Sequence, residues 1–156
     1  MRTLLLHNIR SRHNVGSIFR TADGAGVSRI YLAGYTPAPI DRFGRPVAEL
    51  EKTSLGACHM VPWEIVTDTL TCIKEQQAQG VQVVVVEQTE GSISLYDFTP
   101  SDDVLYIVGN EVAGVLPEIC AAADVVIEIP MAGQKESLNV STATGIVLFQ
   151  QNKSRM

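Results

Sequence analysis

The segment "DTLTCIKEQQAQGVQVVVVEQ" (residues 68–88) decides the fold class of this chain. Its first part is typical of a helix that ends before Gly80, because glycine is common at the position just after a helix. Its second part, from Val81 to Gln88, is a nearly continuous apolar run with the length of a buried strand. Because such strands lie in sheets that helices cover on both faces, the segment predicts an α/β unit.

The same alternation of apolar and helical segments extends in both directions along the chain. Asn14 is the expected cap of the first helix, and the Pro- and Gly-rich stretch 35–46 predicts a loop. Pro62 indicates an edge strand or the end of a strand. The further predicted strands are residues 3–9, 29–34, 59–66, 103–111 and 124–131, and the further helices are residues 14–25, 47–57, 116–123 and 137–151. We therefore expect one α/β domain, residues 1–156, with a mostly parallel sheet and helices on both faces.

The composition argues against several classes of protein. The apolar runs 81–86 and 145–149 are far shorter than the roughly 20 residues of a membrane-spanning helix, and the N-terminal apolar stretch is too short for a signal peptide. Cys58, Cys72 and Cys120 are far apart and form no CxxC pair, which favours buried structural thiols over a zinc site or disulfides. We expect a protein without metal or membrane contact, in the reducing cytoplasm.

The charge is distributed unevenly. Residues 1–52 contain eight basic and four acidic side chains, a net charge of +4, whereas residues 53–156 carry a net charge of −9. This separation permits an anionic partner at the N-terminal third, and it is also compatible with ordinary surface variation.

Three predicted strands end in unusual segments, at the edge where α/β sheets bind ligands. These are "NIRSRHNVGSIFR" (8–20), "GNEVAG" (109–114) and "PMAGQKESLNVS" (130–141). The second is compatible with an ordinary turn, and Ser137 in the third with a simple helix cap. No Walker lysine and no complete Rossmann fingerprint is present, which argues against an ordinary nucleotide-binding enzyme.

In these segments the chain resembles the SpoU (TrmH) branch of the SPOUT RNA methyltransferases. The first family motif corresponds to Asn8, "NVG" (14–16) and "RTADGAG" (20–26), the second to "VGNEVAG" (108–114), and the third to "IPMAGQKESLNVSTATGIVLF" (129–149). "EKTSLGA" (51–57) fits a weaker family pattern. The motifs occur in the family's order and spacing over essentially the whole chain, without an added RNA-binding domain.

The resemblance implies a C-terminal deep trefoil knot, a homodimer, and S-adenosylmethionine bound within the knot. It also implies methyl transfer to a ribose 2′-hydroxyl of tRNA or rRNA. Two alternatives stay open, namely an RNA- or cofactor-binding protein of this superfamily without catalysis, and methylation of a base atom.

The resemblance also assigns roles to residues. The expected cofactor-binding residues are Glu87, Gln88, Gly109, Ile129, Met131, Ser137 and Leu138. The expected catalytic residues are Arg20 and Asn14, with Glu111 and Asn139 supporting the site. Because arginine stays charged, an electrostatic role for Arg20 is favoured over that of a base, although an arginine at such a position could also be a surface ion pair. Arg10, Arg12 and His13 are expected to bind the RNA backbone, with Arg42 and Arg45 widening the patch, unless they are merely a solvated face.

Overall fold

Seven strands form a single sheet in the computed structural model, which describes residues 1–151. The strands are β1 (Arg2–His7), β2 (Arg29–Ala33), β3 (Trp63–Val66), β4 (Gln82–Val86), β5 (Ile93–Ser94), β6 (Val104–Val108) and β7 (Val125–Glu128). Their order across the sheet is β3-β2-β1-β6-β4-β7-β5, and every pairing between these strands is parallel. The prediction of a mostly parallel sheet is therefore confirmed.

Helices cover both faces of the sheet. They are α1 (Arg12–Gly24), α2 (Ala48–Ser54), α3 (Thr69–Ala78), α4 (Pro117–Ala122) and α5 (Val140–Gln150), together with a 3₁₀ turn at Ala57–His59. Successive strand residues point to opposite faces. Accordingly, Leu4 and Leu6 pack with α1, α2 and α5, whereas Leu5 packs with α3 and α4. This double coverage explains why the strands read as continuous apolar runs. Within residues 1–151 no helix is both long and apolar enough to cross a bilayer.

The strand order reverses at β1. The chain first proceeds from β1 through β2 to β3 at one edge, and the later strands then occupy the other side of β1. The central strands are in register, with Leu6 opposite Val108 and Val85 opposite Ile107. The carboxyl ends of β1, β4, β6 and β7 therefore meet at one edge of the sheet, which is the usual ligand site of such folds.

Several element boundaries differ from the sequence-based predictions. Asn14 is not the cap of α1, because the helix begins earlier and the Ser11 hydroxyl accepts a hydrogen bond from the backbone N–H of Asn14 at 3.1 Å. The last helix begins at Val140 and not at Ser137. The helix predicted over 47–57 ends at Ser54, where Leu55 takes a left-handed conformation. Strand β5 was not predicted, since it has only two residues.

Other predictions at this level are confirmed. Gly80 follows α3 with a positive φ of 81°, and β3, directly after Pro62, is an edge strand. Residues 35–46 form an irregular loop with a single bridge between Ile40 and Pro46.

Candidate functional site

A cleft lies at the carboxyl ends of β4, β6 and β7. Its walls come from the residues after β4, the turn 109–114 after β6, the segment after β7 and the first turn of α5. All seven residues that the sequence suggests for cofactor binding line this one cleft: Glu87, Gln88, Gly109, Ile129, Met131, Ser137 and Leu138. Residues from three distant parts of the chain thus meet where the sheet topology brings the strand ends together.

The turn 109–114 forms one wall of the cleft and is held tightly. Asn110 and Gly114 exchange backbone hydrogen bonds at 3.1 and 2.9 Å, and the Asn110 side-chain oxygen accepts from the N–H groups of Val112 and Ala113. A Cβ atom on Gly109 would lie 2.5 Å from the Gly114 carbonyl oxygen. Glycine is therefore required for the chain to fold back this closely. The segment is a turn, as its composition suggested, and it also lines the cleft.

Glu87 braces this turn from the neighbouring strand. One carboxylate oxygen accepts from the backbone N–H of Val115 at 2.8 Å, and the other accepts from the N–H of Gln88 at the same distance. The first oxygen also packs directly against Gly114, where a side chain would collide with it. Glu87 therefore fixes the spacing between the ends of β4 and β6.

The charge of the cleft is entirely negative. Its lining includes the carboxylates of Glu87, Glu111 and Glu128 and no lysine or arginine. None of the three carboxylates forms an ion pair with a residue of the range 1–151. Such a cleft disfavours polyphosphates and favours a ligand that carries positive charge.

The segment between β7 and α5 leaves polar groups available. Within the described chain, the backbone N–H groups of residues 131–138 donate no hydrogen bond to another backbone group, and the Ser137 hydroxyl has no partner. Asn139, and not Ser137, caps α5, since its side-chain oxygen accepts from the N–H groups of Ser141 and Thr142. The alternative that Ser137 is a helix cap is therefore excluded, and its hydroxyl is free to meet a ligand.

A hydrogen-bonded cluster joins the three segments that the sequence singled out. The Asn14 amide group donates to Glu111 at 3.3 Å, and its oxygen accepts from the Asn139 amide at 3.2 Å. Glu111 also accepts from the backbone N–H groups of Arg10 and Ser11. Burial raises the pKa of Glu111, but hydrogen bonding to its own backbone N–H, together with the bonds from Ser11, Arg10 and Asn14, outweighs burial, and the pKa is lowered. Asn14 is buried, and both the nitrogen and the oxygen of its side-chain amide are hydrogen-bonded within this cluster.

Arg20 lies elsewhere on the molecule. It is exposed on α1 and lines a separate depression with Asp23, Leu55 and Met60. Arg20 forms no ion pair within residues 1–151. The structure therefore does not support the alternative that Arg20 belongs to a surface ion pair. Asn14 and Arg20 are about 120° apart around the helix axis and about 9 Å apart along it, because they are separated by six residues. The structure therefore does not bring Arg20 to the cleft of its own chain.

Arg10, Arg12 and His13 form an exposed basic strip beside the cluster, since the N–H of Arg10 donates directly to Glu111. The Arg12 Nη1 atom lies 3.7 Å from the Glu49 Oε1 atom of α2, and exposed ion pairs of this kind contribute little to stability. The positive charge of the N-terminal third thus borders a cleft of negative charge.

The cleft also contains eight residues to which the sequence assigned no role, namely Val86, Val108, Asn110, Val112, Gly114, Glu128, Val140 and Ala143. Asn110 had a recognisable signal, because it lies between two glycines directly after a strand. Glu128 had none, since it reads as an ordinary strand residue.

The three cysteines are free. Cys58 and Cys72 are buried and Cys120 is partly buried, as expected for structural thiols, and burial raises the pKa of Cys72 to about 11. Cys58 lies near Glu51 and His59, with their possible ligand atoms within 4.8 Å of one another, away from the cleft. The expectation of a protein without metal stays a prediction.

Comparison with known proteins gives consistent matches. The sequence matches the SpoU rRNA methylase family over residues 1–149. It is 33% identical over 153 residues to a 23S rRNA (guanosine-2′-O-)-methyltransferase of Xanthomonas axonopodis, covering 98% of this chain and 59% of that protein. It is 34% identical over 148 residues to a tRNA (guanosine(18)-2′-O)-methyltransferase of Aquifex aeolicus, covering 95% of this chain and 67% of that protein.

The solved structures agree with the sequence matches. An S-adenosylmethionine-bound rRNA methyltransferase from Sinorhizobium meliloti superposes with a TM-score of 0.87 at 35% identity, over 99% of this chain and 57% of that one. A tRNA-modifying enzyme from Aquifex aeolicus superposes with a TM-score of 0.85 at 30% identity, over 99% of this chain and 76% of that one. This chain spans less than two thirds of the length of the Xanthomonas and Sinorhizobium proteins.

Proposed function

The chain belongs to the SpoU rRNA methylase family, and from this premise we propose that it transfers a methyl group from S-adenosylmethionine to a ribose 2′-hydroxyl of a tRNA or an rRNA. The names of the Xanthomonas and Aquifex relatives support this reaction. The observation that carries the proposal is the acidic cleft, in which the seven expected cofactor-binding residues lie together.

The residues of the cleft fit S-adenosylmethionine. When bound, this cofactor supplies an electrophilic methyl group on a positively charged sulfur. Three carboxylates without a compensating cation favour the sulfonium and ammonium charges of such a ligand. They oppose the ordinary nucleotide-binding alternative, because a polyphosphate would add negative charge to them.

We assign the binding roles by the chemistry of each side chain. Ile129, Met131 and Leu138 provide apolar surface for the adenosine part, and the Ser137 hydroxyl and the unpaired peptide groups of residues 131–138 provide hydrogen bonds. Gly109 keeps the turn 109–114 narrow enough to leave room for the ligand. Glu87 shapes the wall through its bonds to the turn, and Gln88 lies exposed beside it.

We propose that Arg20 is the catalytic cation, which holds a phosphate of the RNA or stabilises negative charge on the ribose oxygen. Because Arg20 lies outside the cleft of its own chain, this role requires a homodimer in which Arg20 of the partner subunit reaches the cleft. Leu55 and Met60, which are 68% and 73% exposed, line the same depression as Arg20. Exposed apolar side chains around an arginine are typical of a surface that another protein covers.

Asn14 is better described as a positioning residue. Its side chain already bonds Glu111 and Asn139, so it holds two cleft-forming segments against α1. Glu111 and Asn139 support the site through the same bonds. The expectation that Asn14 is a catalytic residue stays a prediction.

We propose that Arg10, Arg12 and His13 receive the RNA backbone. Phosphate neutralisation dominates the affinity of proteins for nucleic acids, and this strip borders the cleft through the bond between Arg10 and Glu111. The strip and the cleft have opposite charges, which suits an anionic substrate beside a cationic cofactor.

Three further properties are proposals that rest on the family. The segment after β7 would pass through a trefoil knot before α5, whose Val147 and Leu148 pack in the same core as α1. The enzyme would act in the cytoplasm, and residues 1–156 would form one catalytic domain, of which 152–156 lie outside the described residues.

The test is incubation of the protein with labelled S-adenosylmethionine and separated tRNA and rRNA, followed by nucleoside mapping. We expect label in a 2′-O-methyl nucleoside.

Arg20→Ala should lower the rate of methyl transfer by about 100-fold or more, since one preorganised charge-stabilising group contributes this much. The affinity for the cofactor, measured by calorimetry, should stay unchanged. The matched control is Arg29→Ala, because Arg29 is a surface arginine at the opposite end of the sheet, paired with Glu64.

Each alternative predicts a different result. Label in a methylated base would support base methylation, and cofactor binding without transfer to any RNA would support a protein without catalysis. An unchanged rate for Arg20→Ala would refute the catalytic role of this residue.

A further inference from the structure

The proline-rich loop, residues 35–46, begins at the rim of the cleft. The Tyr35 hydroxyl accepts a hydrogen bond at 2.9 Å from Asn110, which lines the cleft. Thr36 accepts one from the backbone N–H of Ile9, next to the basic strip. The loop is therefore anchored between the proposed cofactor site and the proposed RNA-binding residues.

The tip of this loop has a defined shape. The Asp41 carboxylate accepts from the backbone N–H groups of Phe43 and Arg45, at 2.8 and 3.0 Å, and from the Arg45 side chain at 2.9 Å. The hydrogen bond from the backbone of Arg45 is the main reason that the pKa of Asp41 is lowered. A turn held in this way presents its outward side chains in a fixed arrangement.

Those outward side chains are an aromatic ring and two guanidinium groups. Phe43 is 66% exposed, and the guanidinium carbons of Arg42 and Arg45 lie 4.7 and 4.9 Å from the centre of its ring. Arg45 is paired with Asp41, whereas Arg42 forms no ion pair within residues 1–151. Phe43 lies outside both hydrophobic clusters of the core, and its ring is in contact with the two guanidinium groups.

We propose that Phe43, together with Arg42 and Arg45, is a stacking site for an unpaired nucleobase of the substrate RNA. Single-stranded RNA is recognised by bases that stack on aromatic rings and on guanidinium planes, with nearby cations on the phosphates. Bases within a duplex are already stacked and paired, so such a site gives no advantage there. The substrate class that follows is an RNA whose contact with this loop is single-stranded. This inference rests on the proposed function, because it names the kind of RNA that the enzyme takes.

The test uses an RNA hairpin with the fluorescent base 2-aminopurine in its unpaired loop, and a duplex with the same base in a paired position. For the unchanged protein we expect tighter binding to the hairpin, together with a change in 2-aminopurine fluorescence that reports stacking. Phe43→Leu should weaken hairpin binding roughly tenfold or more and abolish the fluorescence change. Phe43→Tyr, which keeps the ring, should retain both.

Tyr96→Leu is the matched control, because Tyr96 is 62% exposed and follows β5 at the other edge of the sheet. It should bind the hairpin like the unchanged protein. All variants are compared by thermal unfolding, and Phe43→Leu should unfold like the unchanged protein because the ring is exposed.

The outcomes separate this inference from the proposed function. If the protein methylates RNA but Phe43→Leu binds the hairpin as tightly as before, the stacking site is wrong and the proposed function stands. If Phe43→Leu weakens duplex and hairpin binding equally, the loop contacts duplex RNA and the inference is again wrong. If the unchanged protein neither binds nor methylates any RNA, both proposals fail.

Discussion

At the scale of single residues, the site depends on polar side chains that connect distant parts of the chain. Asn14 bonds residues that are 97 and 125 positions away. Glu111 accepts three hydrogen bonds from one short segment of the N-terminal third. Neither residue differs in type from many surface residues. What makes them important is the set of partners that the fold gives them.

The first prediction concerns Glu111 and pH. Its pKa in the folded protein lies below the ordinary value of 4.5, so its ionised form stabilises the fold above that pH. Glu111→Gln should lower the free energy of unfolding by about 1 kcal/mol at pH 7, since one strong acceptor of several hydrogen bonds is lost at an exposed position. The difference should shrink as the pH falls below about 4.5 and vanish below the lowered pKa of the folded state.

This difference in the free energy of unfolding is measured by chemical unfolding of the unchanged protein and of Glu111→Gln. The measurements run from pH 3 to pH 7, an interval of about four units that includes the ordinary pKa of a glutamate. Glu90→Gln is the control, because Glu90 is an exposed carboxylate without a hydrogen bond within the described chain. A Glu111→Gln deficit that stays constant over this pH range would contradict the assignment.

At the scale of elements, the start of α5 decides how the third segment meets the cleft. Asn139 caps the helix with its oxygen and reaches Asn14 with its amide nitrogen, so one side chain both begins α5 and attaches it to α1. Residues 131–138 stay outside the helix and keep their peptide groups available. A helix beginning at Ser137 would include the last residues of that segment.

The second prediction follows from this cap. Asn139→Ala should lower the free energy of unfolding by about 1 kcal/mol or somewhat more, because a cap and a side-chain hydrogen bond are both lost. Ser137→Ala, the matched control two residues earlier, should leave stability unchanged, although it should weaken cofactor binding. Denaturant unfolding and calorimetry measure the two effects. If Ser137→Ala cost as much stability as Asn139→Ala, the assigned cap would be wrong.

At the scale of the whole molecule, the acidic cleft and Arg20 are on different parts of one chain. If both take part in methyl transfer, each active site must combine two copies of the chain. A two-fold symmetric dimer does this twice, since each contact occurs in both directions.

The third prediction tests this arrangement by mixing two inactive variants. Arg20→Ala keeps the cleft, and Gly109→Ala keeps Arg20 but places a Cβ atom against the Gly114 carbonyl, which should close the cleft. After subunit exchange, a mixed dimer has one site with an intact cleft and the partner's Arg20. Equal mixing should therefore restore about a quarter of the unchanged activity, because half of the dimers are mixed and half of their sites are complete.

Methyl transfer measured before and after exchange gives the result, with each variant exchanged against itself as the control. If no activity returns although mixed dimers form, Arg20 acts within its own chain or not at all.

The amino-acid sequence by itself determined the secondary structure and the class of fold. Apolar runs, helical spacing and Gly80 identified all strands of four or more residues and the approximate positions of the helices, because these signals act over a few neighbouring residues. The mostly parallel sheet followed from strands that alternate with helices along the chain. The second and third polar strand ends line the cleft, since parallel strands end at the same edge, and the resemblance to the family named the individual residues.

The tertiary structure alone decided which side chains meet. Asn14 faces the cluster while Arg20 faces outward, and this depends on which side of α1 packs on the sheet. The Asn139 side chain that caps α5 also bonds Asn14, which is 125 residues away in sequence. Phe43 is exposed in a turn whose backbone bonds Asp41. Local patterns do not contain this information, because these contacts exist only after the strands have taken their order in the sheet.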